Sequence, residues 1–218
     1  PTFASLPLAS LHEPIMNRIL LLAAIPVLTG AALAQAPGAH WSTTPTTTNP
    51  PQRRENPGAA DDSNMYVFGG KSGGSGGVEM NDLWRFDGVA WKQMTADGAL
   101  GSPPARDRAG VTWNFTRGRL TVFGGKDASG NALGDTWEWD PQTNTWTDVT
   151  PASGNPPARS FCAITFDPTS GHVLLFGGLD QNGVHLNDTW SFDGTAWTAL
   201  SPAGPPPPVR RQHHLVTR

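Results

Sequence analysis

One feature governs what this chain can fold into: four separate sequence signals recur with a period near 53 residues. Gly-Gly pairs follow apolar tetrads at Gly69-Gly70, Gly124-Gly125 and Gly177-Gly178. An Asp-x-Trp motif follows each pair, carried by Asp82 and Trp84, Asp135 and Trp137, and Asp188 and Trp190; the three Trp are 53 residues apart. A further Trp comes next, at Trp91, Trp146 and Trp197. Pro-Pro-x-Arg segments end at Arg106, Arg159 and Arg210, and the first two lie 18 residues before their Gly-Gly. A repeat of this length is one supersecondary unit that buries its apolar faces only by stacking on its neighbours.

The local patterns give each unit four antiparallel strands. The tetrads, such as Val173 to Phe176, are apolar on both faces, which suits a strand in a sheet sandwiched between other sheets. In the third strand Trp84 and Phe86, Trp137 and Trp139, and Trp190 and Phe192 stand at i and i+2. A period of two puts both rings on one face, where each buries about 150–250 Å² between packed units. Gly-Gly is expected to end the second strand at a tight turn. Asp87-Gly88, Asp193-Gly194 and the turn from Asp140 to Asn144 lead into the fourth strand. The first strand follows Pro-Pro-x-Arg, as from Ser160 to Phe166. A β-sandwich also has short strands and frequent turns, but it gives no reason for a 53-residue period. Abundant Gly (25) and Pro (21) fit a chain of short strands and turns.

A period near 50 with Gly-Gly and a downstream Trp resembles the kelch repeat, especially that of exported bacterial proteins, over residues 41–218. The resemblance implies an all-β, kelch-type β-propeller of four-stranded antiparallel blades. Blades are expected at 50–102, 103–155 and 156–206, with the start of a fourth at 207–218. A partial blade strand at Trp41 and a linker fill 35–49. The first strand of blade one reads poorly, because 55–62 lacks alternating apolar residues. Three blades with two loose flanking strands read as a fragment of a larger closed propeller, since closure takes at least about four.

Upstream, Met16, Asn17 and Arg18 precede an apolar stretch to Leu33, and Ala32-Leu33-Ala34 is a small-x-small cleavage site. Residues 16–34 therefore read as a secretory signal peptide, and 1–15 as an artefact upstream of the natural start. Pro26 and Gly30 break the stretch too early for a membrane anchor, so the mature chain is expected to have no membrane span. The expected location is secreted, periplasmic or cell-surface.

The chemistry-bearing residues are sparse. Net charge is −3 and no Lys/Arg run exceeds two residues, so the basic footprint of a nucleic-acid binder is absent. A galactose-oxidase-like copper site would need two tyrosines, a cysteine and two histidines. Tyr66 is the only Tyr, Cys162 falls on an inner strand, and His213 and His214 point to opposite faces. Neither a metal nor another cofactor is expected. The segment from Asp127 to Asn131 loosely resembles a calcium loop but lacks the bidentate Glu, and reads as a polar turn. No nucleophile signature or phosphate cradle is present.

Strand alternation brings the loops after strands two and four to one face, together with the Arg segments. Candidate ligand-binding residues are Arg106, Arg108, Arg159 and Arg210, near the mouth of the channel, for an acidic or hydroxyl-rich partner. The competing reading pairs the recurring arginines with Asp82, Asp135 and Asp188 as scaffold. Arg108 is the sharper candidate, because blade three has Phe161 in its place. Function is then either a binding scaffold for protein or glycan partners, or the propeller part of a secreted oxidase or carbohydrate-active enzyme whose active residues lie beyond Arg218.

Overall fold

The computed structural model describes residues 49–205 and 207–216, and among them every regular element is a β-strand. The first sheet contains β1 (Arg53–Arg54), β2 (Gly58–Ala60), β3 (Met65–Ser72), β4 (Glu79–Phe86) and β5 (Trp91–Thr95). The second holds β6 (Gly110–Asn114), β7 (Arg119–Lys126), β8 (Ala132–Asp140) and β9 (Thr145–Asp148). The third holds β10 (Arg159–Ser160), β11 (Ala163–Asp167), β12 (His172–Asp180), β13 (His185–Phe192) and β14 (Trp197–Leu200). Every pairing is antiparallel, and β1 with β2, like β10 with β11, are two pieces of one first strand lying along β3 and β12, so each sheet is one four-stranded meandering blade. In blade two a single bridge between Asp107 and Lys126 takes the place that β1 and β10 hold in the other blades. The expected signal peptide at 16–34, the segment before it and the Trp41 strand lie outside the described residues.

Gly-Gly does not end the second strand. It lies inside β3, β7 and β12, where the register to the third strand shifts by a bulge. Gly124 and Gly125 have φ of +64° and +108°, a region that a side chain disfavours. A Cβ on Gly124 would lie 2.6 Å from the Arg159 carbonyl oxygen of the next blade, and one on Gly125 would lie 2.6 Å from the Asp107 carbonyl oxygen of its own. The pair is therefore a notch in which two chain segments cross.

Blades pack face to face through the alternation of the second strand. Tyr66 and Phe68 face blade two, joined by Leu83, Val111, Trp113, Leu120, Val122 and Trp139. Tyr66 stacks on Trp113 with centroids 5.1 Å apart. Phe123 faces blade three, with Cys162, Ile164, Val173, Leu175, Phe192 and Trp197. The fourth-strand Trp reaches back one blade: Trp146 packs on Phe68 and donates to Thr95 Oγ1, and Trp197 packs on Phe123 and donates to Thr136 Oγ1. The indole thus fills the wedge while its N–H is satisfied.

The ends of the repeat differ from expectation in two ways. The first strand of blade one forms despite its weak pattern, but β2 has only three residues. It ends in a turn where Asp61 accepts from the backbone of Ser63 and Asn64 and from the Tyr66 hydroxyl at 2.7 Å. Residues 212–216, expected to start a strand, make none. Their approach to blade three still follows the repeat, with Arg210 N–H donating to Leu186 O and Gly178 N–H donating to Arg210 O.

Candidate functional site at the channel mouth

The recurring arginine is where the sequence signals meet. Arg106 donates through Nε to the Pro104 carbonyl, through Nη1 to the Gly124 carbonyl, and through both Nη atoms to the carboxylate of Asp135 at 2.6 and 2.7 Å. The same carboxylate accepts from the Trp137 indole at 2.7 Å. Arg159 repeats this with Pro157, Gly177, Asp188 and Trp190. Arg53 does so with Pro51, Gly69, Asp82 and Trp84. Pro-Pro-x-Arg, Gly-Gly and Asp-x-Trp are thus one clasp within a blade.

The clasp sets the electrostatics. Arg106 and Arg159 are completely buried, and each planar guanidinium spends four of its five N–H donors inside the clasp. Burial by itself would lift the carboxyls of Asp135 and Asp188, but the arginine and indole donors outweigh it and hold both below the usual range. Arg210, by contrast, is exposed, and among the described residues its one side-chain hydrogen bond is from Nε to Pro208 O.

Two residues past each of Arg53, Arg106, Arg159 and Arg210 the chain turns into left-handed backbone. Glu55, Arg108, Phe161 and Gln212 have φ of 53°, 56°, 56° and 52°. Non-glycine residues seldom hold this conformation. Here a run of backbone hydrogen bonds fixes it, with Arg108 N–H donating to Glu55 O, Phe161 to Arg108 O and Gln212 to Phe161 O, at 3.0, 2.8 and 3.3 Å. Their side chains meet across the blades. Arg108 Nη2 lies 2.7 Å from Glu55 Oε2, and its guanidinium lies 4.9 Å from the centre of the Phe161 ring. Arg211 approaches the same ring at 5.8 Å.

These four side chains stand at one end of a groove of about 890 Å³ lined by the inner strands, with Trp113, Phe115 and Phe166 also on its walls. Of the four sequence candidates, the groove receives Arg108; Arg106 and Arg159 are sealed in clasps. Cys162 lines the inner strand, where burial pushes its thiol up to about 12. His213 sits edge-on to Phe176 at 5.4 Å, and burial, followed by the charge of Arg210, lowers its pKa. Asp127 takes the backbone N–H groups of Ser129 and Asn131 in a polar turn. Among the described residues no group of three or more His, Cys, Asp or Glu could hold a metal ion.

Comparison with known proteins agrees with this architecture. The family model of the KLHDC2/KLHL20/DRC7 Kelch-repeats domain matches residues 36–218. The chain belongs to the kelch-repeat family. Multiple epidermal growth factor-like domains protein 8 of Rattus norvegicus is 36% identical over 137 residues, 57% of this chain and 5% of that protein. An F-box/kelch-repeat protein of Arabidopsis thaliana is 33% identical over 121 residues, 49% of this chain and 24% of that protein. Acyl-CoA-binding domain-containing protein 6 of Oryza sativa subsp. japonica is 29% identical over 185 residues, 78% of this chain and 27% of that protein. The chain therefore matches between 5% and 27% of the length of these relatives.

Within the kelch frame, sequence reasoning passed over Glu55, Phe161 and Gln212 as members of the ring. The signal was present as a register whose residue type changes in every blade while the arginine two places before it does not. Nothing in the sequence announces the left-handed backbone, because neither Gly nor Asn occupies the position.

Proposed function

We propose that this kelch domain is an interaction scaffold whose protein or glycan partner docks at the channel mouth, on the ring of Glu55, Arg108, Phe161 and Gln212. One observation carries the reading: a fixed backbone frame presents four chemically different side chains at the same place in successive blades. A scaffold that needed only stability would gain nothing from varying them, whereas a binding face is made of such variation on rigid supports. Arg108 supplies the cation for an acidic or hydroxyl-rich group and Phe161 the apolar platform beside it. We further propose that the chain is exported and cleaved after Ala34, as the leader sequence suggests; N-terminal sequencing of the secreted product checks this.

The docking reading is tested by panning a displayed peptide library and a glycan array with the full chain, then repeating with Arg108→Ala and Phe161→Ala. Ligands should weaken by roughly 5- to 150-fold on either change. Ligands that ignore both substitutions would place the partner on another face and overturn the proposal.

A further inference from the structure

One buried group at the seam of blades one and two has no use in the clasp. Asp107 follows the clasp arginine, where the other registers hold Arg54, Ser160 and Arg211. It is 1% exposed and its Oδ1 accepts no hydrogen bond. Its nearest cation, Arg108 Nη1, stands 3.6 Å from that oxygen, while Arg108 Nη2 is drawn 2.7 Å from Glu55. The groups facing Asp107 are mostly acidic. Glu55 comes from the segment between β1 and β2, and Glu79 from β4. Glu79 is already engaged by Lys71 of β3 at 2.6 Å. Lys126 of β7 meets Asp107 through its backbone, which bridges it in both directions. Two carboxyls beside each other, with one arginine between them, cannot both ionise without cost.

We propose that Asp107 keeps a proton directed at Glu55 across this seam, and that its loss recruits Arg108 from the channel mouth into the seam. With the proton in place the pair bears one negative charge, which Arg108 balances at Glu55. Without it the pair bears two, and the guanidinium must serve both. Arg108 is then freer to meet an anionic partner under acidic conditions than under neutral ones. That consequence rests on the proposed docking site; the proton itself does not. Burial, with the hydrogen bond to Glu55 and the charges of Glu55 and Glu79, lifts the Asp107 carboxyl to about 6 against the pull of Arg108. A carboxyl raised on folding contributes stability that is complete below its unfolded value near 3.8 and lost as pH rises to about 6.

The test is an NMR titration of the full chain, following the Asp107 carboxyl carbon and the Arg108 Nε–H together, with melting curves from pH 4.5 to 7.5. Both resonances should move with one midpoint near 6, and the melting temperature should fall by a few degrees across the range. Asp107→Asn should abolish the Arg108 shift and flatten the melting profile. An Asp107 midpoint near 4, or an unchanged profile in Asp107→Asn, overturns the proposal. A midpoint near 6 with an Arg108 resonance that does not follow overturns the coupling. None of these outcomes depends on a partner, so failure here is separate from failure of the docking site.

Discussion

The two seams between blades share a backbone and differ in where they keep their charge. Both are stitched by the same hydrogen bonds, and both are filled by a tryptophan reaching back from the fourth strand. The first seam holds ionisable groups at both ends, with Glu55, Asp107 and Arg108 crowded together at the channel end and Asp61 and Arg85 beside Tyr66 at the other. Among the described residues the second keeps its ion pair only at the end away from the channel mouth, where Arg117, in the turn between β6 and β7, holds Glu138 through three hydrogen bonds of 2.8 to 3.1 Å. Glu138 is fully buried there, and at the channel end of that seam stand Ser160 and Phe161. The comparison teaches that the repeat fixes contacts made by backbone and by invariant side chains. The remaining positions are free to hold charge at either end.

The largest effects should come from what the seams have in common. Asp135→Ala leaves Arg106 buried without its carboxylate, and should cost about 3–5 kcal/mol in a urea melt. Trp139→Ala empties a fully buried site against Tyr66 and should cost on the order of 3–5 kcal/mol. Trp137→Ala should cost less than Trp139→Ala, because its ring is only partly buried and its main role is to hold Asp135. The reverse order would show that the clasp outweighs the wedge.

Smaller effects should separate the seams. Glu138→Gln should destabilise by about 1–2 kcal/mol, since a neutral amide leaves Arg117 unpaired but water still reaches its guanidinium, which is 33% exposed. A change in the pH profile of melting between pH 4.5 and 7.5 should appear for Asp107→Asn. Below about pH 4 all variants that keep the clasps should lose stability together. Asp135 and Asp188 are held below their unfolded value, so their contribution is complete above it and lost as pH falls through the folded value. The smallest effect is that of Arg108→Ala on melting, under about 1 kcal/mol, because its ion pair with Glu55 is partly exposed. A larger loss would make Arg108 a structural residue of the first seam.

The sequence by itself determined the blade and its count of strands. A 53-residue period, tetrads apolar on both faces and rings at i and i+2 admit little else, because each pattern reports burial that only stacked sheets provide. It also marked the arginine, Gly-Gly and Asp-x-Trp as parts of one repeat. What it could not show is that these three meet. Arg106 and Asp135 are 29 residues apart and touch only because the arginine, entering the blade at its first strand, reaches across the second strand at Gly124 to the third. The Gly-Gly pair was legible as special backbone, but its reason lies in two carbonyls, one from the next blade and one from its own, that occupy the space of the missing Cβ atoms. The same holds at the mouth. The clasp draws Arg106 and Arg159 inward, and backbone stitches between blades force the residue two places on into left-handed geometry. Pattern reports what a residue buries; only the packed blades decide which way the residue beside it must face.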